Sequence, residues 1–251
     1  MRLLIVNPNI SRSVSDLIEA EARRAASADT QLTVATAPFG VAYIETRAEA
    51  LIGGYATLTV LSEQYRDYDA AVVAAFGDPG LQAAREILPI PVVGMTESAL
   101  MSAAMLGGRI SIIAISRRIR TWYEETVACY GMSSRLASIR SLENPLRDIA
   151  TIQQDHGDQL VALCEQAIQE DGADVIIIAG APLAGLARSV ADRIPVPVVD
   201  GVSCAVWQAQ ALAGIGARPA QKGSYAPPAD KPVAGLPPEL MKLVGRQPLA
   251  R

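Results

Sequence analysis

The stretch DAAVVAA at residues 69–75 has a counterpart in DVIIIAG at residues 174–180, and each is followed by a Pro-x-Pro strand, PIPVV at 89–93 and PVPVV at 195–199. Short runs that are apolar on both faces are typical of buried strands in parallel sheets. Two unrelated strand–helix–strand units could share part of this pattern, but the doubled Pro-x-Pro-Val-Val favours a duplicated α/β unit. The loops after the two equivalent strands would then face each other, at the sheet edge where open α/β sheets bind ligands.

Strands and helices alternate along the rest of the chain, which predicts an α/β fold with two pseudo-symmetric parallel-sheet lobes and helices on both faces. We expect residues 1–100 with 201–217 to form one lobe, residues 101–200 to form the other, and the active-site cleft to lie between them. Residues 218–251 change to Pro, Gly, Lys and Ala, and we expect an extended tail with a short helical turn near residues 239–244. The predicted strands are 2–6, 31–37, 70–75, 91–93, 109–114, 136–141, 175–178 and 196–199, and the predicted helices are about 11–28, 45–65, 80–88, 98–106, 118–130, 149–170, 183–194 and 203–213.

Composition excludes several classes of protein. The 251 residues are 50% hydrophobic and 19% charged, which excludes global disorder. The sequence has no apolar run of about 18 residues and no secretory signal, so we expect a cytoplasmic protein without a membrane partner. The net charge of −4 is spread along the chain and only 4% of residues are aromatic, so nucleic acid is not an expected partner. We expect a small-molecule substrate and a homo-oligomer.

Cysteine and histidine are scarce. The chain has three cysteines, without CxxC spacing, and one histidine, so neither a disulfide framework nor a Cys/His metal site is expected. We interpret Cys129 and Cys164 as buried residues on helix faces. Cys204, after the Asp200-Gly201 loop, is a weaker candidate for a reactive thiol.

Four segments carry a resemblance to a known family. NPNIS at residues 7–11, FGDPGL at 76–81, Ile44-Glu45 preceded by Tyr43, and PVVDG at 197–201 occur in the order seen in the hydantoin and allantoin racemases. Over roughly residues 1–217 the chain therefore resembles this branch of the aspartate/glutamate racemase superfamily. The resemblance implies two α/β lobes facing across a cleft, and catalysis without a cofactor or metal.

The same resemblance implies two catalytic cysteines that are missing here. In such racemases one thiolate removes the proton beside a carbonyl, and the other thiol returns a proton from the opposite face. Their positions fall on Ala75 and on Gly180 or Ala181. Racemisation by a cysteine pair is therefore disfavoured.

Three side chains are candidates for the acid and base that replace the thiols. Asp78, directly after the first repeated strand, could orient water or accept a proton, or could form a turn in Asp-Pro-Gly. Glu45 could interact with a helix end, or act as a general base tuned by a dry cleft. His156 belongs to the residue type that most often shuttles protons near neutral pH, but its polar surroundings also suit a solvent-facing helix.

Loops that end strands and begin helices present N–H groups and a positive dipole end, which suit a carboxylate or an oxyanion. Each such residue could equally be a plain turn or cap residue. Thr96, Glu97 and Asp200 follow the Pro-x-Pro strands and are expected near the rim of the cleft. The candidate substrate-binding residues are Asn9, Ser11, Tyr43, Gly77, Gly80 and Ser116.

The sequence supports three functional hypotheses. The leading one is a cofactor-independent enzyme acting at or beside a carbonyl of a small cyclic amide, ureide or carboxylate, by ring opening, hydrolysis or lactone formation. The second is a hydantoin-type racemase or isomerase with non-cysteine acid and base groups. It ranks lower because carboxylates are weak bases for carbon acids. The third is a non-catalytic protein that keeps the ligand cleft, which predicts thermal stabilisation by ligands without turnover.

Overall fold

A computed structural model describes residues 1–143, 149, 151–245 and 247–248, and these form two four-stranded parallel sheets with the same strand order. The first sheet contains β1 (Arg2–Asn7), β2 (Gln31–Thr36), β3 (Ala70–Val73) and β4 (Val92–Gly94) in the order β2-β1-β3-β4. The second contains β5 (Ile110–Ala114), β6 (Leu136–Ser141), β7 (Val175–Ile178) and β8 (Val198–Asp200) in the order β6-β5-β7-β8.

The repeated stretches of sequence form the equivalent central strands β3 and β7. In the first sheet Leu3 pairs with Ala70, and in the second Ile110 pairs with Val175. All four residues of each central strand are buried, as expected for strands covered on both faces. The predicted α/β fold with two matching parallel sheets is therefore confirmed.

Two helices cross between the sheets. The helix that follows β8 packs against β3 and β4, whereas the helix that follows β4 packs against β7 and β8. These two helices also pack against each other, so the halves of the molecule share one interface. The helices are α1 (Arg12–Ala25), α2 (Arg47–Gln64), α3 (Leu81–Ile87), α4 (Met95–Leu106), α5 (Arg120–Cys129), α6 (Ile152–Asp171), α7 (Leu186–Val190) and α8 (Gly201–Gly214).

The glycine pair inside α2 allows this helix to approach two loops closely. A Cβ on Gly53 would lie 2.7 Å from Ile44 Cδ1, and a Cβ on Gly54 would lie 3.1 Å from the backbone nitrogen of Gly80. The loss of helix propensity at two glycines is therefore offset by close packing. Thr46 and Glu49 form a capping box that begins the helix, two residues later than predicted.

Two predicted helices differ from the observed ones. The helix predicted over residues 183–194 is broken into a 3₁₀ turn (Ala181–Leu183), α7 and a second 3₁₀ turn (Ala191–Arg193), because Gly185 has φ +82° and cannot continue a helix. Helix α4 begins at Met95, three residues earlier than predicted, because a side chain from another loop caps its first turn. The predicted helix 149–170 includes residue 150, which lies outside the described residues.

The C-terminal tail crosses the first sheet's helices. It contains α9 (Pro238–Val244), close to the predicted helical turn, and two short paired strands, β9 (Pro232–Val233) and β10 (Gln247–Pro248). Helix α9 packs against α2, with Leu240 buried and Arg66 Nη1 2.9 Å from Glu239 Oε2. Residues 246 and 249–251 of the predicted tail lie outside the described residues. Within the described part of the chain, none of the helices has the length and apolarity needed to span a bilayer.

Candidate active site

Two loops of equal length follow the central strands, and we call residues 74–80 the first loop and residues 179–185 the second loop. Each continues the hydrogen-bond ladder by one residue beyond its strand, with N–H···O distances of 2.8 Å. Each ends in a glycine, Gly80 with φ +84° and Gly185 with φ +82°, which stands at the N-cap of α3 or α7. The two loops therefore have the same length and equivalent ends, although positive φ also occurs at Gly77 and Asp78 in the first loop and at Gly180 in the second.

The residues aligned with the missing thiols lie on these loops. Ala75 is 8% exposed and Ala181 is 3% exposed. Gly180 has φ +109°, a conformation that side-chain-bearing residues rarely adopt. Of the two alternatives for the second thiol, Ala181 is therefore the position that a cysteine can occupy without backbone strain.

Two aromatic side chains of helix α5 lie against the loops, and the sequence alone did not identify them as part of the site. The indole ring of Trp122 occupies the space that a Cβ on Gly77 would need. The Tyr123 ring packs on Phe76 with centroids 4.6 Å apart, and its hydroxyl is 4.0 Å from the position of a Cβ on Gly180. Tyr123 therefore packs on the first loop and points its hydroxyl towards the second.

Asp78 is buried in the first loop and binds a neighbouring helix. Its Oδ1 accepts the N–H of Thr96 at 2.8 Å, and its Oδ2 accepts the N–H of Glu97 at 2.9 Å and the Tyr130 hydroxyl at 2.6 Å. Burial raises the pKa of Asp78 to about 6, although these hydrogen bonds oppose the rise. The carboxylate caps α4 and ties the first loop to α5, a role that neither sequence interpretation anticipated. We therefore no longer favour it as the catalytic base.

The two candidate glycines of the first loop have structural partners. The Gly77 N–H donates to Thr96 Oγ1 at 2.5 Å, so it is not free to bind an oxyanion. Gly80 packs against α2, where a Cβ on it would lie 2.9 Å from the carbonyl oxygen of Gly54. Close backbone approach explains both glycines without a bound substrate.

Asn9 is buried, and its side-chain oxygen, but not its side-chain nitrogen, is hydrogen-bonded to described residues. Its Oδ1 accepts the Asn7 side-chain amide at 3.1 Å and the Ser11 N–H at 2.9 Å. Its Nδ2 has no hydrogen-bond partner among the described residues. Ser11 is the N-cap of α1, accepting the Val14 N–H at 3.4 Å. Asn9 therefore presents a fixed donor at the end of β1, whereas the Ser11 oxygen is already engaged.

Glu45 lies in the segment between β2 and α2. Its backbone N–H donates to Glu49 Oε2 at 2.8 Å, but its half-buried side chain has neither a hydrogen bond nor an ion pair with a described residue. Burial, followed by the charges of Glu45 and Glu49, raises the pKa of Tyr43. Burial, followed by the charges of Asp78 and Glu45, also raises the pKa of Tyr123. Glu45 therefore acts electrostatically on phenols from both halves of the molecule.

His156 and Ser116 have local partners. His156, on α6, has its Nδ1 2.9 Å from Gln159 Oε1 on the same helix, and in the described structure no hydrogen bond joins it to either loop. Ser116 Oγ accepts the Arg118 N–H at 3.2 Å and caps a 3₁₀ turn. Within the described structure, His156 and Ser116 are therefore engaged by residues close to them in sequence and not by either loop.

None of the three cysteines lies on either loop. Cys129 is exposed, so its prediction as a buried residue is wrong: it occupies the outer side of the last turn of α5. Cys164 is buried, as predicted. Cys204 is 2% exposed, and burial raises the pKa of its thiol to about 11. A thiol held protonated in this way is a poor nucleophile and a poor base.

Charged side chains join α2 to α5. Arg47 Nε donates to Glu125 Oε2 at 2.8 Å, and both side chains are at least half exposed. Burial opposes ionisation of Glu49, but hydrogen bonds from Glu45 and Thr46, followed by the charge of Arg118, lower its pKa below the ordinary value. These contacts connect the segment that carries Glu45 to the helix that carries Tyr123.

Comparisons with known proteins agree on one family. The family model described as Asp/Glu/Hydantoin racemase matches residues 3–209. A hydantoin racemase from Pseudomonas sp. (strain NS671) is 32% identical over 236 residues, 94% of this chain and 95% of that protein. The solved allantoin racemase from Klebsiella pneumoniae has a TM-score of 0.91 at 29% identity, covering 96% of this chain and 98% of that one. The allantoin racemase from Pseudomonas fluorescens has a TM-score of 0.88 at 32% identity, covering 94% and 100%.

Proposed function

Because this chain belongs to the Asp/Glu/Hydantoin racemase family, we propose that it is a cofactor-independent enzyme that transfers a proton at the carbon beside a carbonyl, using groups other than thiols. One observation carries the proposal. The half-buried Glu45 carboxylate, whose charge acts on Tyr123 between the two loops, has neither a hydrogen bond nor an ion pair with a described residue.

The proposed substrate is a small cyclic ureide, amide or carboxylate. Relatives that match nearly the whole chain are named for hydantoin and allantoin. In such rings a C–H bond adjoins a carbonyl, so its removal forms an enolate that hydrogen-bond donors can stabilise.

Glu45 and Asn9 have complementary roles in this proposal. Glu45 takes the proton, and the electron pair of the C–H bond becomes the enolate double bond while charge moves to the carbonyl oxygen. The Asn9 amide donates to that oxygen. Because Asn9 is already held by two hydrogen bonds, little reorganisation accompanies charge development.

Ring opening, hydrolysis and lactone formation are less well supported on this geometry. They need a group that activates water and donors for a tetrahedral oxyanion. Asp78, the expected water-orienting group, caps α4, and the Gly77 N–H binds Thr96. We therefore rank proton transfer first, and the same assay detects ring-opened product.

The test uses a panel of 5-alkyl hydantoins, allantoin and cyclic amides in D₂O. Wild type is expected to incorporate deuterium at the carbon beside the carbonyl, read by NMR and mass spectrometry. Glu45→Gln is expected to lose about 100-fold or more of the exchange rate, within the range for a general base. Glu125→Gln is the matched control, because it removes a carboxylate already paired with Arg47.

Two outcomes would overturn the proposal. Hydrolysis without exchange would favour the ring-opening hypothesis. Ligand-induced thermal stabilisation without any turnover would favour a binding protein.

We also propose that the two lobes comprise residues 1–100 with 201–217 and residues 101–200. The packing of α8 against the first sheet supports this division. We further propose a cytoplasmic homo-oligomer. Exposed apolar side chains such as Leu51 (78%) and Met105 (80%) support self-association, which light scattering would measure.

A further inference from the structure

Tyr123 is a buried phenol placed between the two loops. Its side chain is 2% exposed, its ring packs on Phe76, and its hydroxyl is 4.0 Å from the position of a Cβ on Gly180. Gly180 adjoins Ala181, where the second thiol of the family would stand. The hydroxyl therefore lies beside the vacant thiol position of the second loop.

The Tyr123 hydroxyl has no hydrogen-bond partner among the described residues. Buried tyrosines usually have one. The partly buried Tyr130 follows this rule by donating to Asp78 at 2.6 Å. Packing alone therefore does not explain why a phenol is buried here without a hydrogen bond.

Packing fixes the position of this hydroxyl, because the Tyr123 side chain is 2% exposed and its ring packs on Phe76. The hydroxyl faces Gly180 of the second loop without a hydrogen bond to any described residue. A ligand bound between the loops would find a fixed donor there.

We propose that Tyr123 is a catalytic residue that supplies the proton from the second loop's side, in place of a thiol at Ala181. The inference rests on the proposed function. Glu45 takes the proton from carbon, the enolate accepts the Tyr123 proton, and a phenolate and a protonated Glu45 remain. Water then reprotonates the phenolate and removes the proton from Glu45, so the cycle is balanced.

The electrostatic surroundings suit a donor. Burial and the facing carboxylates of Asp78 and Glu45 raise the pKa of Tyr123 above its ordinary value. The hydroxyl therefore stays protonated throughout the neutral range. It can act as an acid but not as the resting base, which leaves that role to Glu45.

The test is Tyr123→Phe, which removes one oxygen atom and keeps the ring packing. Because the hydroxyl has no partner, the melting temperature is expected to stay within about 2 °C of wild type. The exchange rate on the panel is expected to fall about 100-fold or more, with KM changed less than threefold. Tyr130→Phe is the control: it loses the bond to Asp78, so its melting temperature falls while its exchange rate stays within about threefold.

The outcomes separate the two proposals. If wild type exchanges deuterium but Tyr123→Phe stays within threefold of it, Tyr123 is not the acid and the proposed function stands. If wild type shows no exchange with any panel member, the proposed function fails, and this inference fails with it. A fall of several degrees in the melting temperature of Tyr123→Phe would show a structural role and would also overturn the inference.

Discussion

The first and second loops have the same length and end in equivalent left-handed glycines, but they are held in different ways. In the first loop, Asp78 lies within the loop and reaches out to cap α4. In the second loop, the anchor comes from outside: Asp200 Oδ2 accepts the Gly185 N–H at 2.8 Å while its Oδ1 caps α8. Each carboxylate therefore ties a strand-end loop to the start of a crossing helix.

This comparison shows that the shape of the two loops does not depend on the residues at the thiol positions. Glycines with positive φ and buried carboxylates set the backbone, while the side chains of Ala75 and Ala181 are methyl groups that cannot form hydrogen bonds. The family scaffold can therefore lose both thiols and keep its cleft. Four sets of variants test how the two loops and their surroundings are held.

The largest effect is expected from restoring both thiols. Ala75→Cys/Ala181→Cys is expected to gain racemisation of hydantoins or allantoin at least about tenfold over wild type, because each Cβ is already in place and a tuned thiolate is a workable base. Chiral chromatography measures the gain. Ala75→Ser/Ala181→Ser adds similar volume without a thiol and is expected to gain nothing. An equal gain in racemisation rate by the cysteine and serine variants would show that the missing thiols do not limit the activity.

The second largest effect is expected on the free energy of unfolding, which should fall by different amounts when each of two loop glycines is replaced by alanine. Gly77→Ala would strain a φ of +112° and collide with Trp122, whereas Gly180→Ala would strain a φ of +109° with no atom closer than 3.7 Å. We expect a cost of about 4 kcal/mol for Gly77→Ala and about 2 kcal/mol for Gly180→Ala, measured by urea unfolding.

Trp122→Ala provides the control for this difference. In the Trp122→Ala protein, the loss of unfolding free energy caused by Gly77→Ala is expected to fall to the loss caused by Gly180→Ala, because only the backbone strain remains. An unchanged difference would mean that the indole does not determine the close packing of the first loop.

The third effect concerns pH. The folded pKa of Asp78, about 6, lies above the ordinary value of 3.8, so its contribution to stability is fully present below pH 3.8 and is lost as pH rises to about 6. Relative to Asp78→Asn, wild type is expected to lose about 3 kcal/mol of unfolding free energy between pH 4 and pH 7. Because burial also raises the pKa of Asp200, Asp200→Asn should reveal a slope of the same sign. A wild type that gains stability over Asp78→Asn with rising pH would contradict this assignment.

The smallest effect is expected at the contact between α2 and α5. The Arg47–Glu125 pair is exposed, so a double-mutant cycle with Arg47→Ala and Glu125→Ala is expected to give a coupling of about 0.5 kcal/mol or less. A coupling well above 1 kcal/mol would show that this exposed pair stabilises the contact between α2 and α5 more than exposure allows.

The sequence predicts the scaffold better than the chemistry. The doubled strands and Pro-x-Pro segments identify β3 and β7, because periodicity and apolar runs are local signals. The same signals cannot show that α5 brings Tyr123 between the loops, since that depends on how a helix of one half packs on the other. Asp78 is a second example of a role that local signals cannot show. The residues next to it in sequence suggest a turn, whereas its hydrogen-bond partners lie on α4 and at Tyr130.

A cysteine-free protein would show whether proton transfer in this cleft works without any thiol. Cys129→Ser/Cys164→Ala/Cys204→Ala removes every cysteine of the chain, and its deuterium exchange on the panel would be compared with wild type and Glu45→Gln. We predict a rate within about threefold of wild type, against a loss of about 100-fold in Glu45→Gln. A folded cysteine-free protein that has lost exchange, with Glu45→Gln still active, would contradict proton transfer without a thiol.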